Sequence, residues 1–218
     1  NISPLVDTGF EIGAEQLSAL DVWTLAFLFG FQIYFDFSAY SHIALGSARM
    51  IGISFPENFN FPYIASSPKD FWKRWHISLS SWVRDYLYLP LMGGNFQNTS
   101  TGGLSMVIQT KKNHKPLFAS WSLMGLWHGA NWTFLLWGIL HAVIILIYRL
   151  ISLTKLKLDT FLTSLTGWLL TILSVMIVWI PFRASNIRET LTMYSKVFNP
   201  LEYFDMNLKE NLCVKWKK

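Results

Sequence analysis

Two histidines lie in sequence contexts that suit proton transfer, and His128 has the more unusual one. It is flanked by glycines and tryptophans within residues 125–132 (GLWHGANW), at the edge of an apolar run. An unperturbed imidazole has a pKa near ~6.5, and apolar neighbours favour its neutral form, which can act as a base. The alternative is a packed histidine whose ring is satisfied by a helix carbonyl. The local pattern leaves both interpretations open.

The second histidine, His76, belongs to a segment with helical apolar spacing. On a helical wheel it flanks the apolar face near Trp72 and Val83, so its ring could point into the protein. The alternative is an interfacial histidine that is hydrogen-bonded to a neighbour. Arg74, two residues earlier, fits ordinary contacts with lipid headgroups.

A third group of polar residues surrounds Asp36 within an aromatic stretch, residues 34–42 (YFDFSAYSH), which also contains Tyr40. A carboxylate among aromatic side chains needs a partner, and Arg49 and His42 are candidates. Either a functional carboxylate or a structural ion pair is consistent with this pattern, and the structural pair is favoured.

The remaining histidines do not indicate a metal site. No two histidines are three or four residues apart, and no HExxH motif occurs. The single cysteine, Cys213, excludes a cysteine-based zinc cluster and an intrachain disulfide. His141 lies more than three helical turns beyond His128 and is interpreted as structural, while His114 is interpreted as a solvated loop residue. We therefore predict no metal.

The composition indicates a membrane protein. Of 218 residues, 52% are hydrophobic and 14% charged, and there are 11 tryptophans. Typical soluble domains have about 25% charged residues, and disordered chains lack aromatic residues. The net charge of +5 comes from cations scattered between apolar runs, without the concentrated basic stripe of a nucleic-acid-binding protein.

The apolar runs predict membrane helices and their connections. The segment 161–182 carries no charge and is predicted to be a transmembrane helix, since a span needs about 20 apolar residues. Residues 67–90 show amphipathic spacing and a cationic polar side, which predicts an interfacial helix. Residues 93–116 are polar and glycine-rich, and they are predicted to form a loop outside the hydrocarbon.

Several of these segments together resemble the membrane-bound O-acyltransferase superfamily, in its alginate O-acetyltransferase branch. The matching segments are 34–46 (YFDFSAYSHIALG), 56–63 (PENFNFPY), 70–90 (DFWKRWHISLSSWVRDYLYLP), 93–95 (GGN), 125–138 (GLWHGANWTFLLWG) and 179–184 (WIPFRA). Three positions depart from the usual pattern. His42 stands where Asp is common, and Phe61 and Phe96 stand where Arg is usual.

The resemblance implies an all-α, multi-pass membrane bundle with tilted, re-entrant and interfacial amphipathic helices around a tunnel. Residues 1–218 would form one such domain, the C-terminal part of a longer chain, in a bacterial inner membrane. It also implies that His128 and His76 are the catalytic histidines. The side chains expected to contact substrate or line the tunnel are Asp36, Tyr40, Arg74, Trp75, Trp127, Asn131 and Trp132.

The function that this resemblance implies is acetyl transfer to hydroxyls of an exported polysaccharide. Acetyl-CoA would be the donor, His128 the general base, and His76 a residue that orients the acceptor or donates to the oxyanion. The expected partners are membrane lipid and either the polysaccharide or a periplasmic or surface protein that relays the acetyl group. No nucleic acid and no bound cofactor is expected. Two alternatives remain: D-alanyl transfer to teichoic acid, and a truncated, non-catalytic membrane scaffold.

Overall fold

Residues 2–98, 104–108, 113–153 and 160–203, described in a computed structural model, fold mainly into α-helices. The helices are α1 (Ser3–Glu11), α2 (Ala19–Met50), α3 (Pro68–Arg74), α4 (Ile77–Val83), α5 (Leu89–Leu91), α6 (Lys115–His128), α7 (Trp132–Leu153), α8 (Thr160–Arg183) and α9 (Ile187–Phe198). Short 3-10 turns lie at Ala14–Gln16, Pro62–Ile64 and Pro200–Tyr203, and a π-helical turn at Arg84–Tyr88. The prediction of an all-α membrane bundle is confirmed, with one small β-hairpin added to it.

Three helices in the described part of the chain are long and apolar enough to cross a membrane. They are Ala19–Met50, Trp132–Ser152 and Ser164–Arg183. The segment 161–182, predicted as a transmembrane helix, lies within α8. α6 has only 14 residues, which is short for a span.

The start of α2 is fixed by a capping box. The Asp21 backbone N–H donates to the Ser18 hydroxyl at 3.2 Å, and the Ser18 backbone N–H donates to the Asp21 carboxylate at 2.9 Å. These bonds satisfy donors that the first helical turn would otherwise leave unpaired. α2 packs against α8 and α9, so its first half is buried and its second half is mostly exposed.

α6 and α7 form a tight helical hairpin because two glycines let their backbones touch. A Cβ atom on Gly125 would overlap the carbonyl oxygen of Phe134, and one on Gly138 would overlap that of Trp121. Only glycine permits this approach. The contact fixes the end of α6, and hence His128, against the first turn of α7.

The structure divides the amphipathic helix predicted for residues 67–90. α3 ends at Arg74, the chain turns sharply at His76, whose φ is +43°, and α4 begins at Ile77. The break is hydrogen-bonded from a distant segment: Asn60 N–H donates to the Arg74 carbonyl and Ile77 N–H to the Asn58 carbonyl, both at 2.9 Å. Apolar spacing continues through the break, and for that reason the periodicity predicts one helix. The membrane-interface position stays a prediction.

The segment predicted as a polar loop, 93–116, contains an antiparallel hairpin of two strands, β1 (Gly94–Asn98) and β2 (Leu104–Ile108). Gly94 pairs with Ile108 and Asn98 with Leu104. Residues 99–103 and 109–112 lie outside the described part of the chain. The end of the segment enters α6, which begins at Lys115.

Candidate functional site

A cavity of about 520 Å³ lies between α2, the α3–α4 break, α6, α7 and α8. Its wall contains four side chains with hydrogen-bonding groups suited to proton or hydroxyl chemistry: Gln32, Asp36, His76 and His128. Most of the remaining wall is aromatic and includes the tryptophans Trp72, Trp75, Trp127, Trp137 and Trp179. The two candidate catalytic histidines, 52 positions apart in the sequence, therefore face one apolar space.

His128 is the last residue of α6, where the glycine contact holds the helix against α7. Its ring lies 4.9 Å from the ring of Trp127, 5.2 Å from Trp137 and 5.0 Å from Phe182, between ring centroids. Burial among these rings lowers the pKa of His128 to about 4. Within the described residues, no hydrogen bond engages its ring nitrogens, so the neutral imidazole has a lone pair available to a substrate.

His76 lies at the left-handed break between α3 and α4. Its ring is nearly perpendicular to that of Phe37, and the two ring centroids are 4.7 Å apart. Its Nδ1 is 3.2 Å from the Oδ1 atom of Asn58. Burial lowers the pKa of His76 to about 4, and the nearby charge of a protonated His128 lowers it further. Both histidines of the cavity are therefore neutral at neutral pH.

α2 contributes the other polar part of the wall. Gln32 and Asp36 are four residues apart, which brings them to the same helix face, and both line the cavity. The Oε1 atom of Gln32 is buried without a hydrogen-bond partner among the described residues. A buried acceptor of this kind costs free energy until a donor reaches it, so Gln32 is suited to bind a hydroxyl or amide hydrogen.

The proposed partnership between Asp36 and Arg49 is wrong. Arg49 donates to the Glu57 carboxylate at 3.1 Å, and both side chains are exposed. The other candidate partner, His42, has its Nδ1 2.8 Å from the Ser38 carbonyl one turn earlier on α2. Arg49 lies more than three turns beyond Asp36 along the same helix, and this distance explains why the two side chains do not meet.

Three of the seven side chains predicted to contact substrate or line the tunnel reach the cavity, and four do not. Asp36, Trp75 and Trp127 line it. Arg74 instead donates to the Asp70 carboxylate at 3.0 Å and to the Asn60 carbonyl at 3.3 Å. Asn131 caps α7 by accepting a hydrogen bond from the Thr133 N–H at its Oδ1 atom, and its Nδ2 atom donates to the Ser185 carbonyl at 3.3 Å.

Tyr40 and Trp132 are the other two predicted residues that do not line the cavity. Tyr40 is 67% exposed on the second half of α2, and Trp132 is 73% exposed at the start of α7. His114 is also exposed, at the start of α6. These three side chains are exposed and lie outside the cavity wall.

His141 lies behind the cavity wall. It is 1% exposed, and its ring centroid is 4.9 Å from that of Trp72, 5.2 Å from Trp121 and 4.8 Å from Trp137. It does not line the cavity itself, which agrees with its interpretation as a structural residue.

Two residues of the site escaped the sequence reasoning, Asn58 and Gln32. Asn58 belongs to the matching segment 56–63, which could have drawn attention to it, but no local pattern links it to His76. Gln32 lies in an apolar helix where a lone amide is a weak signal. In the described residues, no group of three metal-ligating side chains lies close enough to hold a metal ion.

The arrangement is suited to acid–base chemistry. Two neutral imidazoles, one amide acceptor and one carboxylate face a space whose remaining wall is mostly aromatic. A hydroxyl brought here could lose its proton to an imidazole as it attacks a carbonyl carbon.

Comparison with known proteins points to one family. The family description "MBOAT, membrane-bound O-acyltransferase family" matches residues 18–184. A probable alginate O-acetylase AlgI of Azotobacter vinelandii is 41% identical over 201 residues, which are 91% of this chain and 36% of that protein. A peptidoglycan O-acetyltransferase of Helicobacter pylori is 35% identical over 191 residues, 88% of this chain and 34% of that protein.

A teichoic acid D-alanyltransferase of Bacillus subtilis is also similar, with 36% identity over 127 residues, 57% of this chain and 31% of that protein. The chain thus spans about a third of the length of the curated relatives it matches. Both candidate catalytic histidines fall inside the matched residues 18–184.

Proposed function

This chain belongs to the membrane-bound O-acyltransferase family, and we propose that it carries the catalytic histidines of an O-acetyltransferase that modifies an exported polysaccharide. The protein is a membrane protein with three helices suited to spanning. We place it in a bacterial inner membrane as a multi-pass enzyme. The relative that supports a polysaccharide acceptor is the alginate O-acetylase.

The observation that carries this proposal is the meeting of His76 and His128 in one apolar cavity. Acyl transfer to a hydroxyl needs a base to take the hydroxyl proton, and it needs water excluded, since water would hydrolyse the donor. The cavity offers two candidate bases, and its mostly aromatic wall supports the second requirement. Its 520 Å³ can hold an acetyl thioester and part of a sugar ring, but not a whole polymer.

In the proposed reaction, His128 is the general base. A ring nitrogen takes the proton of an acceptor hydroxyl while the hydroxyl oxygen forms a bond to the thioester carbonyl carbon of acetyl-CoA. The carbon–sulfur bond then breaks, and the departing CoA thiolate takes the proton from the imidazolium. General base catalysis of this kind contributes about 10²–10⁴-fold to the rate.

The acceptor is either the polysaccharide itself or a periplasmic or surface protein that relays the acetyl group. His76 contacts the acceptor, and Gln32 and Asp36, which line the same cavity, bind hydrogens of the donor or acceptor. Membrane lipid surrounds the exposed apolar helix faces.

D-alanyl transfer to teichoic acid is the second candidate, and the similarity to a teichoic acid D-alanyltransferase favours it. That reaction also delivers an acyl group to a hydroxyl, so the same two histidines would serve it. The two candidates differ in the acid released when the product esters are cleaved.

The test compares a deletion strain complemented with the full-length wild-type gene, with His128→Ala, or with His114→Ala, a matched change at an exposed histidine. Surface polymers are treated with mild alkali, and the released acids are identified. We expect acetate from wild type and His114→Ala, and none from His128→Ala despite normal membrane accumulation. Release of D-alanine would select the second candidate, and equal acetate from His128→Ala would contradict the proposal and favour a non-catalytic scaffold.

A further inference from the structure

Asn58 holds His76 through an unusual concentration of hydrogen bonds on one oxygen. Its Oδ1 atom is 3.2 Å from His76 Nδ1, 3.1 Å from the Ser78 backbone nitrogen and 3.0 Å from Ser78 Oγ. Asn58 lies outside the cavity wall, while His76 is part of it. The edge of the imidazole that carries Nδ1 is therefore turned away from the cavity.

These contacts determine which ring nitrogen carries the proton. A backbone N–H can only donate, so the Asn58 atom that Ser78 N–H contacts must be the amide oxygen rather than the amide nitrogen. An amide oxygen can only accept, so Nδ1 of His76 must be the protonated nitrogen that donates to it. In a neutral ring, Nε2 then has no hydrogen and is an acceptor.

The backbone makes this arrangement rigid. The Ile77 N–H donates to the Asn58 carbonyl at 2.9 Å, and the Asn60 N–H donates to the Arg74 carbonyl at 2.9 Å. The bonds flank His76, whose left-handed φ of +43° is uncommon for a residue with a side chain. A strained conformation that persists between such bonds is held by its surroundings, which is typical of functional positions.

We propose that Asn58 is a positioning residue that fixes His76 in its Nδ1-protonated tautomer, so that Nε2 accepts a hydrogen bond from a hydroxyl of the acyl acceptor. This inference rests on the proposed acyl transfer. It assigns His76 to the acceptor rather than to the oxyanion, because an unprotonated Nε2 has no hydrogen to donate. A hydroxyl has one hydrogen, and the attacking hydroxyl gives its own to His128. His76 therefore holds a second hydroxyl, and of the two acceptors proposed above this favours the polysaccharide, whose sugars carry neighbouring hydroxyls.

The decisive variant is Asn58→Asp. A carboxylate oxygen still accepts all three hydrogen bonds, so the break between α3 and α4 is retained. The added negative charge favours the imidazolium and raises the pKa of His76, by about 1–3 units for a charge at this distance. Protonated His76 has no acceptor at Nε2, and the acid limb of kcat/KM should move up by about 1–3 pH units.

Other charged groups near His76 do not change in this comparison. Asp36 on α2 and His128 on α6 face the same cavity, and the guanidinium of Arg74 is bonded to Asp70 and to the Asn60 carbonyl. The matched control is Asn60→Asp, the same chemical change at an exposed side chain two residues along the same segment. Its acid limb should coincide with that of wild type.

The assay follows transfer of radiolabelled acetyl from acetyl-CoA to polysaccharide in membranes that carry the full-length protein. An acid limb in Asn58→Asp that coincides with wild type would overturn the role of Asn58. Unchanged kcat in Asn58→Leu at neutral pH, with normal accumulation in the membrane, would overturn it as well.

A second readout separates this inference from the proposed function. Solid-state nitrogen NMR of the ¹⁵N-histidine-labelled protein distinguishes protonated from unprotonated ring nitrogens, and the His76 signals are those that vanish in His76→Gln. We expect a protonated Nδ1 and an unprotonated Nε2 in wild type, whether or not acetyl-CoA proves to be the donor. The opposite tautomer would refute the inference even in an active acetyltransferase.

Discussion

The low pKa of both cavity histidines makes acid tolerance the sharpest test of the site. Burial lowers the pKa of His128 and of His76 to about 4. Since burial disfavours the charged ring, each histidine stays neutral, and therefore able to accept a proton, until the pH falls close to that value. The perturbation is simply a decrease in assay pH from about 7.5 to about 5.

The expected magnitude follows from the two pKa values. With a pKa of about 4, about 90% of each ring is neutral at pH 5, so about 80% of the molecules keep both neutral. With the ordinary pKa of ~6.5, only about 3% of each ring would be neutral at that pH. The structure thus predicts that kcat/KM at pH 5 stays within about twofold of its value at neutral pH.

The assay measures initial rates of radiolabelled acetyl transfer in membranes across overlapping buffers of constant ionic strength. Membranes held at pH 5 and then returned to neutral pH provide the control for irreversible inactivation. An acid limb with a midpoint near ~6.5, fully reversible, would refute the claim that the active histidines are those buried in this cavity.

Two further predictions concern the cavity wall and the helix pair that supports it. Gln32→Leu removes the buried acceptor that has no partner among the described residues, so kcat/KM should fall about 2–10-fold, which corresponds to the loss of one hydrogen bond. The control Gln16→Leu, on an exposed turn, should leave kcat/KM unchanged. An unaltered kcat/KM for Gln32→Leu would exclude contact between Gln32 and the substrate. Gly125→Ala forces a Cβ atom into the Phe134 carbonyl, which should destabilise the α6–α7 pair by about 1–3 kcal/mol and lower the thermal aggregation temperature in detergent. The control Gly46→Ala places its Cβ atom in open space on α2 and should leave that temperature unchanged. Equal aggregation temperatures for the two variants would contradict the close contact between α6 and α7.

One span and the candidacy of His128 were predictable because their signals are local. The run 161–182 shows its membrane character in consecutive residues, and His128 stands out through the glycines and tryptophans that flank it. The motif order also identified both histidines as candidates, although the sequence alone did not show that they share one cavity.

Neither the helix break at His76 nor the contact of His76 with Asn58 has a local sequence signal from which it could be predicted. The left-handed turn interrupts a regular amphipathic pattern, and it depends on hydrogen bonds with Asn58 and Asn60, which lie 18 and 16 positions before His76. The partner of Asp36 was misjudged for a related reason, because charge complementarity in sequence ignores the direction in which a helix presents each side chain. Arg49 reached the Glu57 carboxylate on the following segment instead.

The most direct test of the central claim, that His76 and His128 act together on one reaction, is a double-mutant cycle. Initial rates of acetyl transfer are measured for His76→Ala, His128→Ala and the double variant, at equal amounts of protein in the membrane. Residues that serve one step are strongly non-additive, so the double variant should be no slower than the slower single variant. Losses that multiply, each single variant contributing its full factor, would show that the two histidines act independently and would contradict the account.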